Sequence, residues 1–379
     1  SYSVTGVQTC ALPISCGTAA ISVIRISGRE AIEIVAEYFS PKDKLLSSKG
    51  HTCVYGTFCD ADQIPLDEVL CTVFRSPASY TGEDTVELSC HGNPYLSDRI
   101  LQVLLQKAQL AKPGEFTLRA YLNGKMDLVQ AEAVNDIIMA STSKAESAAL
   151  MQRQGYLSRH LQLLLSRITD ARVRCELAID FSDQDLPQID LADLKQRISS
   201  LIADAKILHD EGSNSIVLRE GIKICLAGAP NAGKSSLFNA FLKHNRAIVT
   251  PHPGTTRDYL EESFSLNGFP IVLYDTAGIR ESDDSIEQEG IARSLDLMIA
   301  SDLILYLYDN PSELLYLATE MENYKHKTIF VSTKADTKDS PPMMDHVSCS
   351  VILEGGLTAV TDAIMNRLKL PQDIMYRPL

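Results

Sequence analysis

KICLAGAPNAGKS, residues 223–235, decides the fold: an apolar strand runs into a glycine-bounded loop and on into the helical run SSLFNAFL at 235–242. Gly228, Ala229, Pro230, Asn231, Ala232, Gly233, Lys234 and Ser235 fit GxxxxGKS in the strand-to-helix setting that gives the pattern its meaning. In such a loop backbone N–H groups wrap phosphates at a helix N-terminus. Lys234 adds a cation at the β and γ phosphates and Ser235 offers a hydroxyl to Mg2+, with Ser236 beside it in the same turn.

Working outward, three more segments fall in order. After the apolar run PIVLY come Asp275, Thr276, Ala277 and Gly278. The Asp can hold the Mg2+ shell through water, and the Gly N–H can sense a γ-phosphate. Between the two motifs lie Gly254, Thr255, Thr256, Arg257 and Asp258, where Thr256 is placed to complete Mg2+ coordination only when the third phosphate is present. After KTIFVS stand Thr333, Lys334, Ala335 and Asp336, an NKxD-type guanine signature with Thr in place of Asn. The Asp carboxylate can accept from N1 and N2 of guanine, and adenine leaves it unpaired; such sites discriminate on the order of 10^4-fold. Ser348, Cys349 and Ser350 stand where a Ser-Ala-Lys turn meets the base, and Ser348 and Cys349 join the candidate GTP contacts. Ile279 occupies the place of a water-orienting Gln and cannot do that work, so catalysis needs another acid or base and another positive charge.

From residue 222 onward the text alternates strand and helix: KICLAG, SSLFNAFL, FPIVLYD, LILYLYD, KTIFVS and TAVTDAIMNRL. That order implies a mostly parallel, doubly wound sheet with ligands at the carboxyl ends of its strands. From 126 to about 208 apolar residues recur every three or four positions, which predicts helices broken near Pro187. From 19 to about 110 short alternating segments such as AISVIRIS and HTCVYGTFC give an α+β pattern. No run of 18 apolar residues occurs, so no membrane span is expected. The nine cysteines are scattered without a CxxC pair, as in a cytoplasmic protein with reduced thiols. A net charge of -14 argues against a broad nucleic-acid surface, so any such contact is local or supplied by a partner.

Beyond the nucleotide motifs, RISG at 25–28, TGEDTVEL at 81–88, CHG at 90–92, PGEFTLRAYLNGKMDLVQAEA at 113–133 and PNAGKSSLFNA at 230–240 closely resemble the MnmE (TrmE) family of tRNA wobble-uridine modification GTPases. The resemblance runs from about Thr18 to the end and implies three parts. These are an N-terminal folate-binding and dimerising domain at 16–122, a helical domain at 123–220, and a Ras-like P-loop GTPase domain at 221–372 inserted into the helical one. It implies that Arg25, Glu87 and Lys125 contact a tetrahydrofolate one-carbon donor in its 5-formyl or 5,10-methylene form. It also implies that K+ is held by Asn231, Thr250, His252 through its backbone, and Thr255, that Mg2+ is held by Ser235 and Thr256, and that Glu287 is the general base. The implied chemistry adds a (carboxymethyl)aminomethyl group to wobble uridine of tRNA, in a heterotetramer of a homodimer with an FAD-dependent partner of the MnmG (GidA) kind.

Two departures set further expectations. Residues 1–15, SYSVTGVQTCALPIS, read as an adapter-like, non-native segment outside the fold, with a signal peptide or a lipoprotein start at Cys16 as the alternative. At the other end, 373–379 read as the start of a helical return that the family continues into a Cys-containing FCIGK tail, leaving the helical domain without its C-terminal half. Two rival readings stay open on the nucleotide motifs: a switch in ribosome assembly or signalling, and a folate-dependent aminomethyl transferase with a regulatory GTPase domain. The TGED and LNGK segments argue against the switch.

Overall fold

In the computed structural model, the structure describes residues 9–13, 18–180, 191–228, 231–244, 260–275, 295–310, 322–337, 346–353 and 355–370. The chain divides into two compact units, Ser1–Val134 and Asn135–Leu379.

The first unit is built on a seven-stranded sheet. Its strands are β1 (Cys10–Pro13), β2 (Ile21–Ser27), β3 (Phe39–Ser40), β4 (Thr52–Cys59), β5 (Pro65–Phe74), β6 (Thr85–His91) and β7 (Gln109–Leu110), in the order β3-β4-β5-β6-β2-β1-β7. All neighbours are antiparallel except β1 and β7. Side chains alternate across a strand, so one face of β2 and β6 carries Ile24, Ile26, Val86 and Leu88 into the core, and the other carries Arg25 and Glu87. Helices α1 (Ala31–Glu37) and α3 (Pro94–Leu104) cover the apolar face with Ile32, Val35, Ile100 and Leu104. Asn93 starts α3, its Oδ1 accepting from the N–H of Tyr95, with Pro94 in the first turn where no donor is lost.

Cys10–Pro13 corrects the expectation that residues 1–15 lie outside the fold. The apolar run CALP pairs with β2 on one side and β7 on the other, and Cys10 and Ala11 are buried. A short apolar segment beside an open sheet edge gains backbone hydrogen bonds and burial together. Helices α2 (Lys42–Leu46) and α4 (Glu115–Leu122) complete this unit's short elements.

Helix α5 (Leu128–Met139) is followed by α6 (Ser143–Arg153), α7 (Tyr156–Asp180) and α8 (Leu191–Glu220). Arg167 of α7 pairs with Asp204 of α8 and donates to Ser200 Oγ at 2.7 Å. Leu165, Ile168, Ile202 and Ile207 are exposed on the same two helices. The expected break at Pro187 lies outside the described residues. Among the described residues no helix is long and apolar enough to cross a membrane.

The second sheet has six strands: β8 (Ile222–Gly228), β9 (Leu260–Leu266), β10 (Phe269–Asp275), β11 (Leu303–Tyr308), β12 (Thr328–Ser332) and β13 (Val347–Ser348). Their order is β13-β12-β11-β8-β10-β9, parallel throughout except β9 against β10. Asn267 and Gly268, at φ 50 and 84, make the two-residue turn joining that antiparallel pair. β11 is buried at every position, as a central parallel strand requires. Helices α9 (Lys234–His244) and α10 (Thr358–Arg367) pack Leu237, Phe241, Val360 and Ile364 into the sheet's core.

Candidate functional site

Strand order reverses at β8, which lies between β10 and β11, so the carboxyl ends of β8, β10, β11 and β12 share one edge at a topological switch point. Gly228 closes β8 at φ 138, and a Cβ there would lie 2.1 Å from the carbonyl oxygen of Leu307. Only glycine lets the loop leave the sheet so close to β11. Asn231 and Gly233 both take positive φ, 61 and 93, which turns the loop back onto α9. Ala232 is buried, while Asn231, Ser235 and Ser236 are exposed on the loop and the first turn of the helix.

Lys234 is buried, and its Nζ donates to the carbonyl oxygen of Gly228 at 2.8 Å. Burial pushes its ammonium below the ordinary lysine range, and the nearby Asp275 carboxylate opposes that shift. Asp275 ends β10, buried, and accepts from Ser235 Oγ at 3.2 Å. A hydroxyl and a carboxylate side by side at a helix N-terminus suit a hard divalent cation, so these residues fit Mg2+.

At the far end of the same edge, the N–H and Oγ1 of Thr333 donate to the carbonyl oxygen of Tyr308 at 3.0 and 3.2 Å. Lys334 sits at φ 56 with its ammonium paired to Asp309. Asp336 lies in the short turn Ala335–Thr337. Its Oδ1 accepts from Ser350 Oγ at 2.7 Å, and Ser350 Oγ itself accepts from the N–H groups of Ile352 and Leu353 at 3.3 Å. Two backbone bonds, Ala335 N–H to Cys349 O at 3.1 Å and Cys349 N–H to Ser332 O at 2.8 Å, stitch the two segments together.

The reading from sequence missed Ser350 as Asp336's partner. Ser348 is half-buried in β13, and the Cys349 side chain is packed in the core, where burial pushes its thiol up to about 11. The sequence holds two serines two positions apart, and spacing does not select between them. Thr250, His252, Thr255, Thr256, Thr276, Ala277, Gly278 and Glu287 lie outside the described residues. Among the described residues no cluster of three or more His, Cys, Asp or Glu side chains could hold a metal ion.

In the first unit Arg25 and Glu87 face each other in the β2–β6 register. Arg25 donates to Glu87 Oε1 from Nε at 2.8 Å and from a terminal nitrogen at 2.6 Å. The guanidinium lies 5.3 Å from the Tyr80 ring and 5.4 Å from that of Phe116. Lys125 donates from Nζ to Pro77 O at 2.9 Å. Of the three residues that the resemblance assigns to folate, Arg25 and Glu87 are each other's partners and Lys125 is tied to the 76–84 loop.

That loop is held from α4 and its end. Arg119 is buried and pairs with Glu83 at 3.0 Å and Glu115 at 2.7 Å, and Asn123 Nδ2 donates to Thr81 O at 2.7 Å. Burial opposes ionisation of Glu115, but the N–H of Lys112 and the Arg119 guanidinium hold its carboxyl below the usual range. Tyr80, Glu83 and Arg119 were missed because their roles depend on contacts across the fold.

The family described as GTP-binding protein TrmE N-terminus matches residues 8–125, and the one described as MnmE helical domain matches residues 128–375. The tRNA modification GTPase MnmE of Clostridioides difficile is 41% identical over 331 residues, 85% of this chain and 71% of that protein. Its counterpart from Aquifex aeolicus is 40% identical over 325 residues, 84% of this chain and 71% of that protein. Among solved structures, the G domain of the T. maritima FeoB iron transporter is 29% identical, covering 39% of this chain and 98% of that one at a TM-score of 0.31. With N-terminal and helical regions both matched, and relatives near 40% identity over most of their length, this chain belongs to the MnmE family of tRNA modification GTPases.

Proposed function

We propose that this chain hydrolyses GTP along the carboxyl edge of the β8–β13 sheet and uses turnover to drive wobble-uridine modification of certain tRNAs. The product is a (carboxymethyl)aminomethyl group at C5 of the uridine. The carbon comes from a tetrahydrofolate derivative, 5-formyl or 5,10-methylene, bound near Arg25, Glu87 and Lys125. An FAD-dependent partner of the MnmG (GidA) kind supplies the redox chemistry. The active assembly is cytoplasmic, a homodimer through the N-terminal domain joined to that partner in a heterotetramer.

The observation that carries the reading is one sheet edge with Lys234, Ser235 and Asp275 at one end and the Asp336–Ser350 pair at the other. Lys234 exchanges its bond to Gly228 O for phosphate oxygens, and Asn231 to Ser236 wrap those phosphates. Asp336 reads the N1 and N2 edge of guanine, flanked by Thr333, Lys334, Ser348 and Cys349. Ser235 and Thr256 hold Mg2+, which supplies charge neutralisation at the β and γ oxygens. K+ at Asn231, Thr250, the His252 backbone and Thr255 supplies the remaining positive charge. Asp275, Thr276, Ala277 and Gly278 follow the γ-phosphate, and Glu287 activates the attacking water.

The test is GTP turnover in K+ against Na+ at equal ionic strength, with Asn231→Lys and Glu287→Ala beside wild type. Turnover in K+ should exceed that in Na+, and both variants should lose about two orders of magnitude. Equal rates in the two salts remove the cation from the mechanism, and an unaffected Glu287→Ala removes the base.

A further inference from the structure

Thr333 occupies the place where the guanine signature has Asn, and its hydroxyl carries one proton. That proton is directed at Tyr308 O, 3.2 Å away, the same oxygen that accepts the Thr333 N–H at 3.0 Å. The side chain is buried, and a carbon placed on Gly233 would lie 3.8 Å from both its Cβ and its Cγ2. Thr333 therefore fills the space between the phosphate loop and the turn that carries Asp336. A guanine with its N1 and N2 edge on Asp336 and its phosphates on Gly228 and residues 231–236 would turn its imidazole edge toward this strand end. That edge holds N7, an acceptor with no proton of its own.

We propose that Thr333 leaves N7 unread, so that this chain recognises guanine through its N1 and N2 edge without a side-chain donor to N7 from position 333. The proposal rests on Asp336 as the base reader. The chemistry is a matter of donors: a threonine hydroxyl committed to Tyr308 O presents N7 with lone pairs and a methyl group, whereas an amide in its place presents an N–H. One net hydrogen bond corresponds to about a fivefold change in affinity. The consequence is a weaker and faster-exchanging nucleotide site with unchanged preference among guanine, xanthine and adenine, because N7 is common to all three.

The experiment compares GDP with 7-deaza-GDP, in which a C–H replaces N7, by competition against a fluorescent GDP analogue on the full chain at constant Mg2+. Wild type should bind the two within about twofold of each other, and Thr333→Asn should prefer GDP by about fivefold. Thr333→Val, which has the same shape without the hydroxyl, should leave the wild-type ratio where it was. A wild-type preference for GDP of about fivefold, abolished in Thr333→Val, assigns the hydroxyl to N7 and overturns the proposal. So does a Thr333→Asn protein that binds GDP without gaining the preference. Failure of the Asp336 reading shows elsewhere, as an Asp336→Asn protein whose affinities for GDP and xanthosine diphosphate match those of wild type.

Discussion

Asp336 has one carboxylate oxygen engaged by Ser350, and Ser350 is fixed in turn by two backbone N–H groups. With Asp336 as the proposed base reader, this hydroxyl aims its carboxylate, and Ser350 is a positioning residue on that reading. Ser350→Ala should raise KM for GTP about tenfold with kcat unchanged, and Ser350→Thr should restore most of it; steady-state kinetics in K+ reads both. A kcat that falls with KM constant places Ser350 elsewhere in the cycle. Asp336→Asn should favour xanthosine triphosphate, because an amide donates where the carboxylate accepted. At this scale the sequence was most legible in GxxxxGKS, where local backbone geometry demands glycine at φ 138 and 93. It was least legible at Ser350 and at the Arg25–Glu87 pair. Those pairings come from strand register and loop stitching between residues 14 and 62 positions apart, which no local pattern encodes.

Between elements, α4 is fastened to the 76–84 loop by Arg119, whose side chain is only 10% exposed and lies between Glu83 and Glu115. Breaking such a pair leaves a carboxylate uncompensated at a cost of about 3 kcal/mol, more than a surface pair contributes. Arg119→Met should therefore lower the stability of the first unit by about that amount, measured by urea unfolding followed by hydrogen exchange at α4. The pH dependence has a definite sign. Glu115 titrates below its unfolded value, so its contribution is complete above the ordinary carboxyl pKa and is lost as pH falls through the folded one. Wild type should lose stability on acidification over that window, and Arg119→Met should show a flatter profile. Alternation of strand and helix after residue 222 made the second sheet readable, but β9 was not read. LEESFSL is polar at every position except Leu260, Phe264 and Leu266, and pairing along the whole length of β10 makes it a strand. The strand at Cys10–Pro13 falls in the segment read as adapter-like, and its four residues are too few to show a period that argues against that reading.

Over the whole molecule, charge sets the terms on which a nucleic acid can be met. The chain carries 35 Lys and Arg against 49 Asp and Glu, a net -14, so the average field repels a polyanion. A tRNA modification GTPase with that balance must either concentrate its basic residues locally or receive tRNA already held by another protein. Affinity for nucleic acid rises with the number of phosphates neutralised, and that number is read as the slope of log affinity against log salt. The chain alone should therefore bind tRNA with a slope corresponding to about two or three phosphates, and weakly at physiological salt. On the proposed reading, adding the FAD-dependent partner should raise both the affinity and the slope, because each further phosphate neutralised adds to both. Fluorescence anisotropy of labelled tRNA, titrated with the chain alone and with the partner across a series of K+ concentrations, measures both quantities. A steep slope for the chain by itself, unchanged by the partner, shows that a basic surface of this chain holds the tRNA and that net charge was the wrong guide.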